Sequence, residues 1–404
     1  MTNLVRQDSD EAGELARLGC EELGGLAQSI GTMERAIAAR AFRHVPAGRP
    51  IQLIHDAISR GVSGGLGAAA GAAGRGAQTL VERRPRGERP LSATPRGALG
   101  IAVVNGLVGD RLEREGSALH HPMAVRVDGL PVAPERRALA QAFPAASPRL
   151  AVFLHGLMES ERGWRLGGRE PYGARLRRDA GLTPVYVRYN SGRHISENGR
   201  SLADLLERLV AEWPVAVEEV ALVGHSMGGL VARSACHLGA LDDAAWAGRV
   251  RHVVSLGSPH LGAPLEQAVH YAASGLSRLP ETQIFGAFLR RRSAGIRDLR
   301  AGSLVDEDWR GRDPEALRAA ACQEVPLLEG ATHCFVSATV TRSPRHPLGR
   351  IVGDTLVLVP SASGRSRTRT LGFEAEYGLH VGATHHIALL NHPAVYEKLH
   401  AWLA

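Results

Sequence analysis

The sequence predicts an α/β protein built on a mostly parallel sheet with helices on both faces. Three observations predict it. From Leu150 to Leu256, strand-length apolar runs alternate with helix-length segments, the pattern of successive strand–helix–strand units. One junction, Leu222-Val223-Gly224-His225-Ser226-Met227-Gly228-Gly229, sets a G-x-S-x-G pentapeptide between a hydrophobic run and a helix-compatible run. At 404 residues and 44% apolar content, the chain is long enough for one large α/β domain with additions.

Residues 1–95 read as a helical, Gly/Ala-rich region apart from this sheet. Residues 11–37 and 51–59 read as amphipathic helices, and 61–74 form a small-residue tract. Such a tract permits close helix–helix or helix–membrane approach, and equally makes a glycine-weakened, loosely packed helix. The Arg- and Pro-rich stretch 82–97 is the linker, which puts the main domain at 96–404. A helix-like run over 97–112 and a strand over 123–127 lead into the sheet. Strands at 150–154 and 184–187, a helix over 196–211, a strand at 220–223 and a helix over 230–238 follow. Arg188 and Asn190 come just after the 184–187 strand, where parallel sheets bind ligands; a structural turn is the alternative. Residues 265–330 lack strand periodicity and are expected to form a helical lid insertion. Within it, Tyr271, Leu276, Ile284, Phe285, Phe288 and Leu289 either line an acyl-chain path or pack on the body. The apolar run 334–340 is a further strand, and Leu389, Leu390, Val395, Leu399 and Trp402 recur at the spacing of one C-terminal helix.

A serine held between a buried strand and a helix sits on a nucleophile elbow. Gly224 and Gly228 flank Ser226 where a Cβ is expected to collide with the neighbouring strand and helix, and the helix aims its first amides at a developing oxyanion. Such a serine needs a base and an orienting acid, which follow it in the order acid, then histidine. Asp354, on a glycine-flanked loop beyond the 334–340 strand, suits the acid. Asp242, Asp243, Asp298, Asp306, Glu307 and Asp308 are alternatives in polar segments expected to be exposed. His386 suits the base, standing three residues before Leu389 on the loop that enters the last helix; its neighbour His385 competes for the role. His392, before Pro393, reads as a helix-entry residue.

These residues give the chain a resemblance to bacterial esterases and lipases of the α/β-hydrolase superfamily, in the lipase-like branch with GHSMGG elbows. Phe153-Leu154-His155-Gly156, the elbow itself and Gly257-Ser258-Pro259-His260-Leu261-Gly262-Ala263-Pro264 carry it, over roughly residues 99–404. Gly353-Asp354-Thr355-Leu356-Val357 resembles the G-D-G-x-V acid loop of such enzymes but has Thr355 in place of the second glycine. The resemblance implies a Ser226–Asp354–His386 triad, an oxyanion hole from the Leu157 and Met227 amides, and hydrolysis of carboxylic esters. Acyl transfer or thioester cleavage on the same triad is the enzymatic rival. A membrane- or granule-associated binding protein with a vestigial site is the rival of another class.

Bulk properties narrow the partners. Aromatic residues are only 4%, which argues against a stacking platform for sugars or nucleic acid. The net charge of +7 is carried by dispersed arginines, Lys398 being the sole lysine, with clusters at Arg83-Arg84-Pro85-Arg86 and Arg290-Arg291-Arg292. A small-molecule or lipid ester is therefore the expected partner, and nucleic acid is not. Neither H-E-x-x-H nor paired C-x-x-C occurs, so no metal or cofactor is expected. Cys20, Cys236, Cys322 and Cys334 lack paired spacing and fit thiols of a reducing compartment, with one disulfide left open. Without an apolar leader or a membrane-length run, the expectation is a cytoplasmic protein, with peripheral membrane contact through the N-terminal region as an option.

Overall fold

The alternating runs become one eight-stranded sheet: β1 (Ala124–Val127), β2 (Leu130–Val132), β3 (Arg149–Leu154), β4 (Thr183–Arg188), β5 (Glu219–His225), β6 (Val250–Leu256), β7 (Thr332–Ala338) and β8 (Gly378–Val381). The computed structural model describes residues 11, 13–15, 18, 89–263, 292–313, 322–366 and 369–404. Most of the expected N-terminal helices, the 61–74 tract, the Arg83–Arg86 cluster, Cys20 and the six apolar residues assigned to an acyl-chain path lie outside them. The strand order is β2-β1-β4-β3-β5-β6-β7-β8. From β4 to β8 every pairing is parallel, and β1 alone runs against its neighbours β2 and β4.

The described residues form nine α-helices around the sheet: α1 (Pro95–Arg114), α2 (Arg136–Ala142), α3 (Tyr172–Ala180), α4 (Ile195–Glu212), α5 (Met227–Leu241), α6 (Ala294–Asp298), α7 (Pro347–Val352), α8 (Val359–Ala362) and α9 (Pro393–Leu403). The central strands are apolar at nearly every position because both faces of the sheet are covered. Along β3, Leu150, Val152 and Leu154 pack in one cluster with Leu202, Leu205, Leu206 and Leu209 of α4 and Leu230 and Val231 of α5. Their alternates Ala151 and Phe153 pack in the other, with Tyr172 and Leu176 of α3 and Val395, Leu399 and Leu403 of α9. Period-two alternation on a strand thus divides the helices between two layers. Among the described residues, no helix is long and apolar enough to cross a membrane.

The chain divides into two compact units, the larger being Pro95–Glu115, His120–Gln267 and Arg292–Ala404. It holds the whole sheet. In the other unit, Glu11 accepts a hydrogen bond from the Ser92 amide at 2.8 Å, and Glu14 accepts one from the Ser117 hydroxyl.

Two expectations need correction. The single C-terminal helix is broken: Leu389 and Leu390 lie in a 3-10 stretch, His386–Asn391, and α9 starts afresh at Pro393. Pro393 has no N–H to continue the first stretch, and the His392 side chain caps the new helix by accepting from the Ala394 amide at 3.2 Å. The aspartates of the insertion are not all exposed. Asp298 and Asp308 are buried, where they accept main-chain N–H groups of Ile195 (2.8 Å), Leu304 (2.8 Å) and Gln323 (2.7 Å). Polar sequence context did not reveal that these carboxylates satisfy buried amides.

Candidate active site

Three loops at the carboxyl edge of the sheet meet around Ser226. The first is the turn from β5 into α5. Ser226 has φ +51° and ψ −121°, a conformation strained for a residue with a side chain. A Cβ on Gly224 would run into the Gly228–Gly229 peptide, and one on Gly228 would lie 2.7 Å from the His155 carbonyl oxygen. Those two glycines let strand, helix and the end of β3 close on the serine. The Ser226 amide is anchored by the Leu256 carbonyl at 2.8 Å, and the residue is 8% exposed.

The second loop follows β3. His155 is fully buried and stacks on Tyr189 with ring centroids 4.2 Å apart. Its Nε2 accepts the Tyr189 amide (3.2 Å), so Nδ1 carries the proton and donates to the Gly156 carbonyl (2.8 Å). Burial holds this imidazole below its ordinary range, consistent with a neutral structural histidine. The Gly156 α-carbon lies against Ser226: a Cβ there would be 3.0 Å from the serine Cβ. The Leu157 amide comes next, followed by Met158 at φ +59°, whose amide donates to Ser191 Oγ at 3.1 Å. Among the described residues, the Leu157 and Met227 amides donate no hydrogen bond. Met227 is the first residue of α5, where an amide has no partner within its own helix.

The third loop pairs Asp354 with His386. Asp354 is 1% exposed and fully engaged: Oδ1 accepts the amides of Leu356 (3.0 Å) and Val357 (2.8 Å), and Oδ2 accepts His386 Nδ1 (2.7 Å). The Asp354 carbonyl also accepts the His386 amide at 2.8 Å, so main chain and side chain both register the two loops. Thr355 sits at φ +96°, a costly value for a β-branched residue where glycine would be at ease. His386 is 2% exposed, whereas His385 faces solvent. The His386 ring packs over Gly257, beside the end of β6. Its Nε2 is buried without a hydrogen bond among the described residues, and Ser226 Oγ is not bonded to it in this structure.

Residues 149–284 match the family described as a PGAP1-like alpha/beta domain. With the strand order and the elbow, that decides the class. This is an α/β-hydrolase fold. Solved structures similar to it include the mature lipase of Bacillus licheniformis, at 16% identity over 64% of this chain and 94% of that one, with a TM-score of 0.41. The esterase of Pyrobaculum calidifontis is similar at 14% identity, covering 81% and 92% with a TM-score of 0.39. A Staphylococcus hyicus lipase is similar at 13% identity, covering 64% and 92% with a TM-score of 0.36. No curated protein matches the chain.

Two residues of this candidate site were not found from the sequence. Glu159 places both carboxylate oxygens on His225 Nδ1 (2.9 and 3.0 Å), and the same carboxylate accepts the Gly156 amide at 2.8 Å. His225, fully buried, turns Nε2 to the His386 carbonyl at 3.2 Å. The available signals were a glutamate three residues past the His-Gly turn and a histidine inside the pentapeptide. Conversely, Arg188 and Asn190 are structural. Arg188 forms a buried bidentate pair with Glu161, both contacts at 2.6 Å, and Asn190 bridges the Gly109 carbonyl and the Gly192 amide. Among the described residues, no group of three or more His, Cys, Asp or Glu side chains is placed to hold a metal ion.

Proposed function

We propose that the protein is a serine hydrolase of carboxylic esters, with Ser226 as nucleophile, His386 as base and Asp354 as orienting acid. The observation that carries this reading is the buried 2.7 Å bond from His386 Nδ1 to Asp354 Oδ2, made beside a serine on a strained strand-to-helix turn. The lipase- and esterase-like α/β-hydrolase fold supports ester hydrolysis. A carboxylate can only accept, so it holds the proton on Nδ1 and leaves the Nε2 lone pair to take the Ser226 proton. Serine Oγ then bonds to the ester carbonyl carbon, and the oxyanion that forms is received by the Leu157 and Met227 amides. Collapse expels the alcohol, which takes its proton from His386 Nε2. Water, deprotonated by the same nitrogen, releases the acid and restores the serine. Preorganised main-chain dipoles supply the charge stabilisation in this scheme.

The substrate is a small-molecule or lipid ester. We further propose a cytoplasmic location with lipid-surface contact through the N-terminal region, which flotation with vesicles and cell fractionation would test. The deciding experiment on activity is a p-nitrophenyl ester panel across acyl lengths, run on the wild type and on Ser226→Ala. Loss of a triad nucleophile costs on the order of 10⁶ in kcat. A purified Ser226→Ala variant that kept a tenth of wild-type activity would remove Ser226 from the role.

A further inference from the structure

Both nitrogens of His225 face groups that accept protons. Nε2 points at the His386 carbonyl oxygen (3.2 Å), which has no proton to give, so Nε2 must carry a hydrogen. Nδ1 points at the Glu159 carboxyl (2.9 and 3.0 Å), whose Oε2 already receives the Gly156 amide (2.8 Å). One proton lies between that carboxyl and Nδ1. A carboxylate bound by both an amide N–H and a ring N–H is the better-satisfied state, and it makes His225 an imidazolium.

We propose that Glu159 and His225 are a carboxylate–imidazolium positioning pair that fixes the Gly156–Leu157 turn and the His386 loop relative to Ser226. Glu159 reaches the oxyanion turn through the Gly156 amide. His225 reaches the base through the main chain of His386, the residue whose side chain Asp354 orients. The nucleophile is the very next residue after His225. Three loops from three places in the sequence are thereby held by one charged pair, and errors in their spacing act directly on the reacting geometry. Neither residue touches the reacting atoms; both act through neighbouring groups.

The surroundings favour the charged state. Burial presses the Glu159 carboxyl upward, but the His225 charge and hydrogen bond outweigh it and bring the group below the usual carboxylate range. Burial presses His225 downward, and Glu159, the His386 carbonyl and Asp354 outweigh it and raise the imidazole. Around the ring stand Glu159 from the oxyanion turn, His386 at a centroid distance of 4.7 Å, Asp354 from the acid loop and the edge of Trp164 at 6.4 Å.

The test has a spectroscopic arm and a kinetic arm. In nitrogen-15 histidine-labelled protein, one ring, identified by its absence in His225→Gln, should carry protons on both nitrogens at pH 7. Glu159→Gln should lower kcat about 10²-fold with KM within threefold, the size of effect produced by misplacing a reacting group by an ångström. Glu159→Asp, which keeps the charge, should recover at least tenfold of that loss. A wild-type spectrum with an unprotonated His225 nitrogen at pH 7 overturns the proposal. So does a cooperatively folded Glu159→Gln enzyme whose kcat stays within threefold of wild type. If that variant does not fold, the wild-type spectrum decides alone. The proposal rests on the hydrolase reading, but its spectroscopic arm needs no activity, so the two can fail separately.

Discussion

Replacing Asp354 by asparagine should leave the fold intact and disable the base by reversing one hydrogen bond. Oδ1 of Asp354 accepts two main-chain amides, from Leu356 and Val357, and Oδ2 accepts His386 Nδ1. An asparagine has one carbonyl oxygen, and the two amides, which can only donate, will claim it. Its NH₂ group is then left facing His386 Nδ1 at the present 2.7 Å contact. Nδ1 must become the acceptor, which moves the imidazole proton to Nε2, where the lone pair is needed for the serine. A wrong tautomer of this kind costs about 10⁴ in kcat, or about 5 kcal/mol of transition-state stabilisation. Thermal unfolding should change little, because both amides keep their acceptor. The assay is p-nitrophenyl ester turnover at pH 7.5 beside the melting curve of each protein. Turnover within tenfold of wild type, in a variant that melts normally, would refute the tautomer argument and Asp354 as the acid.

The histidine pair gives a second test. His386→Ala should lose activity as severely as Ser226→Ala, without adding to it in the double variant, while exposed His385→Ala should lose less than about tenfold; reversal of that ranking in the same assay would move the base. A third concerns acid stability. Burial and the neighbouring Arg233 hold His333 down to about 4 from its ordinary 6.5, so below pH 6.5 the unfolded chain takes a proton that the fold refuses. Stability present above pH 6.5 should therefore fall by up to about 3 kcal/mol as pH drops to 4, and urea midpoints of wild type and His333→Gln should show a flatter decline in the variant. Identical slopes would contradict this. A fourth follows from α1 starting at Pro95. We propose that a chain beginning at Thr94 unfolds cooperatively and hydrolyses short soluble esters; a folded but inactive product would make residues 1–93 part of the site.

What the sequence determines alone is what depends on neighbours along the chain. Strand, elbow and helix around Ser226 were legible because each is a local pattern: an apolar run, glycines where a Cβ has no room, then a helical run. Asp354 and His386 could be nominated by their order after the serine, since both sit on loops next to recognisable elements. Tertiary structure decided the rest. That His386 rather than His385 turns inward follows from Asp354, which binds the His386 amide and ring from 32 residues away in sequence. Asp298 and Asp308 look like surface residues until the amides they accept are seen. Arg188, which by sequence stands either where a parallel sheet binds ligands or in a structural turn, pairs with Glu161 in the interior. The link between Glu159 and His225 spans 66 residues and leaves no periodic trace. A side chain's direction on a loop is set by backbone dihedrals and by partners brought close only when the sheet assembles. Local pattern encodes which segments pair with water and which with the core, but not which lone pair meets which proton.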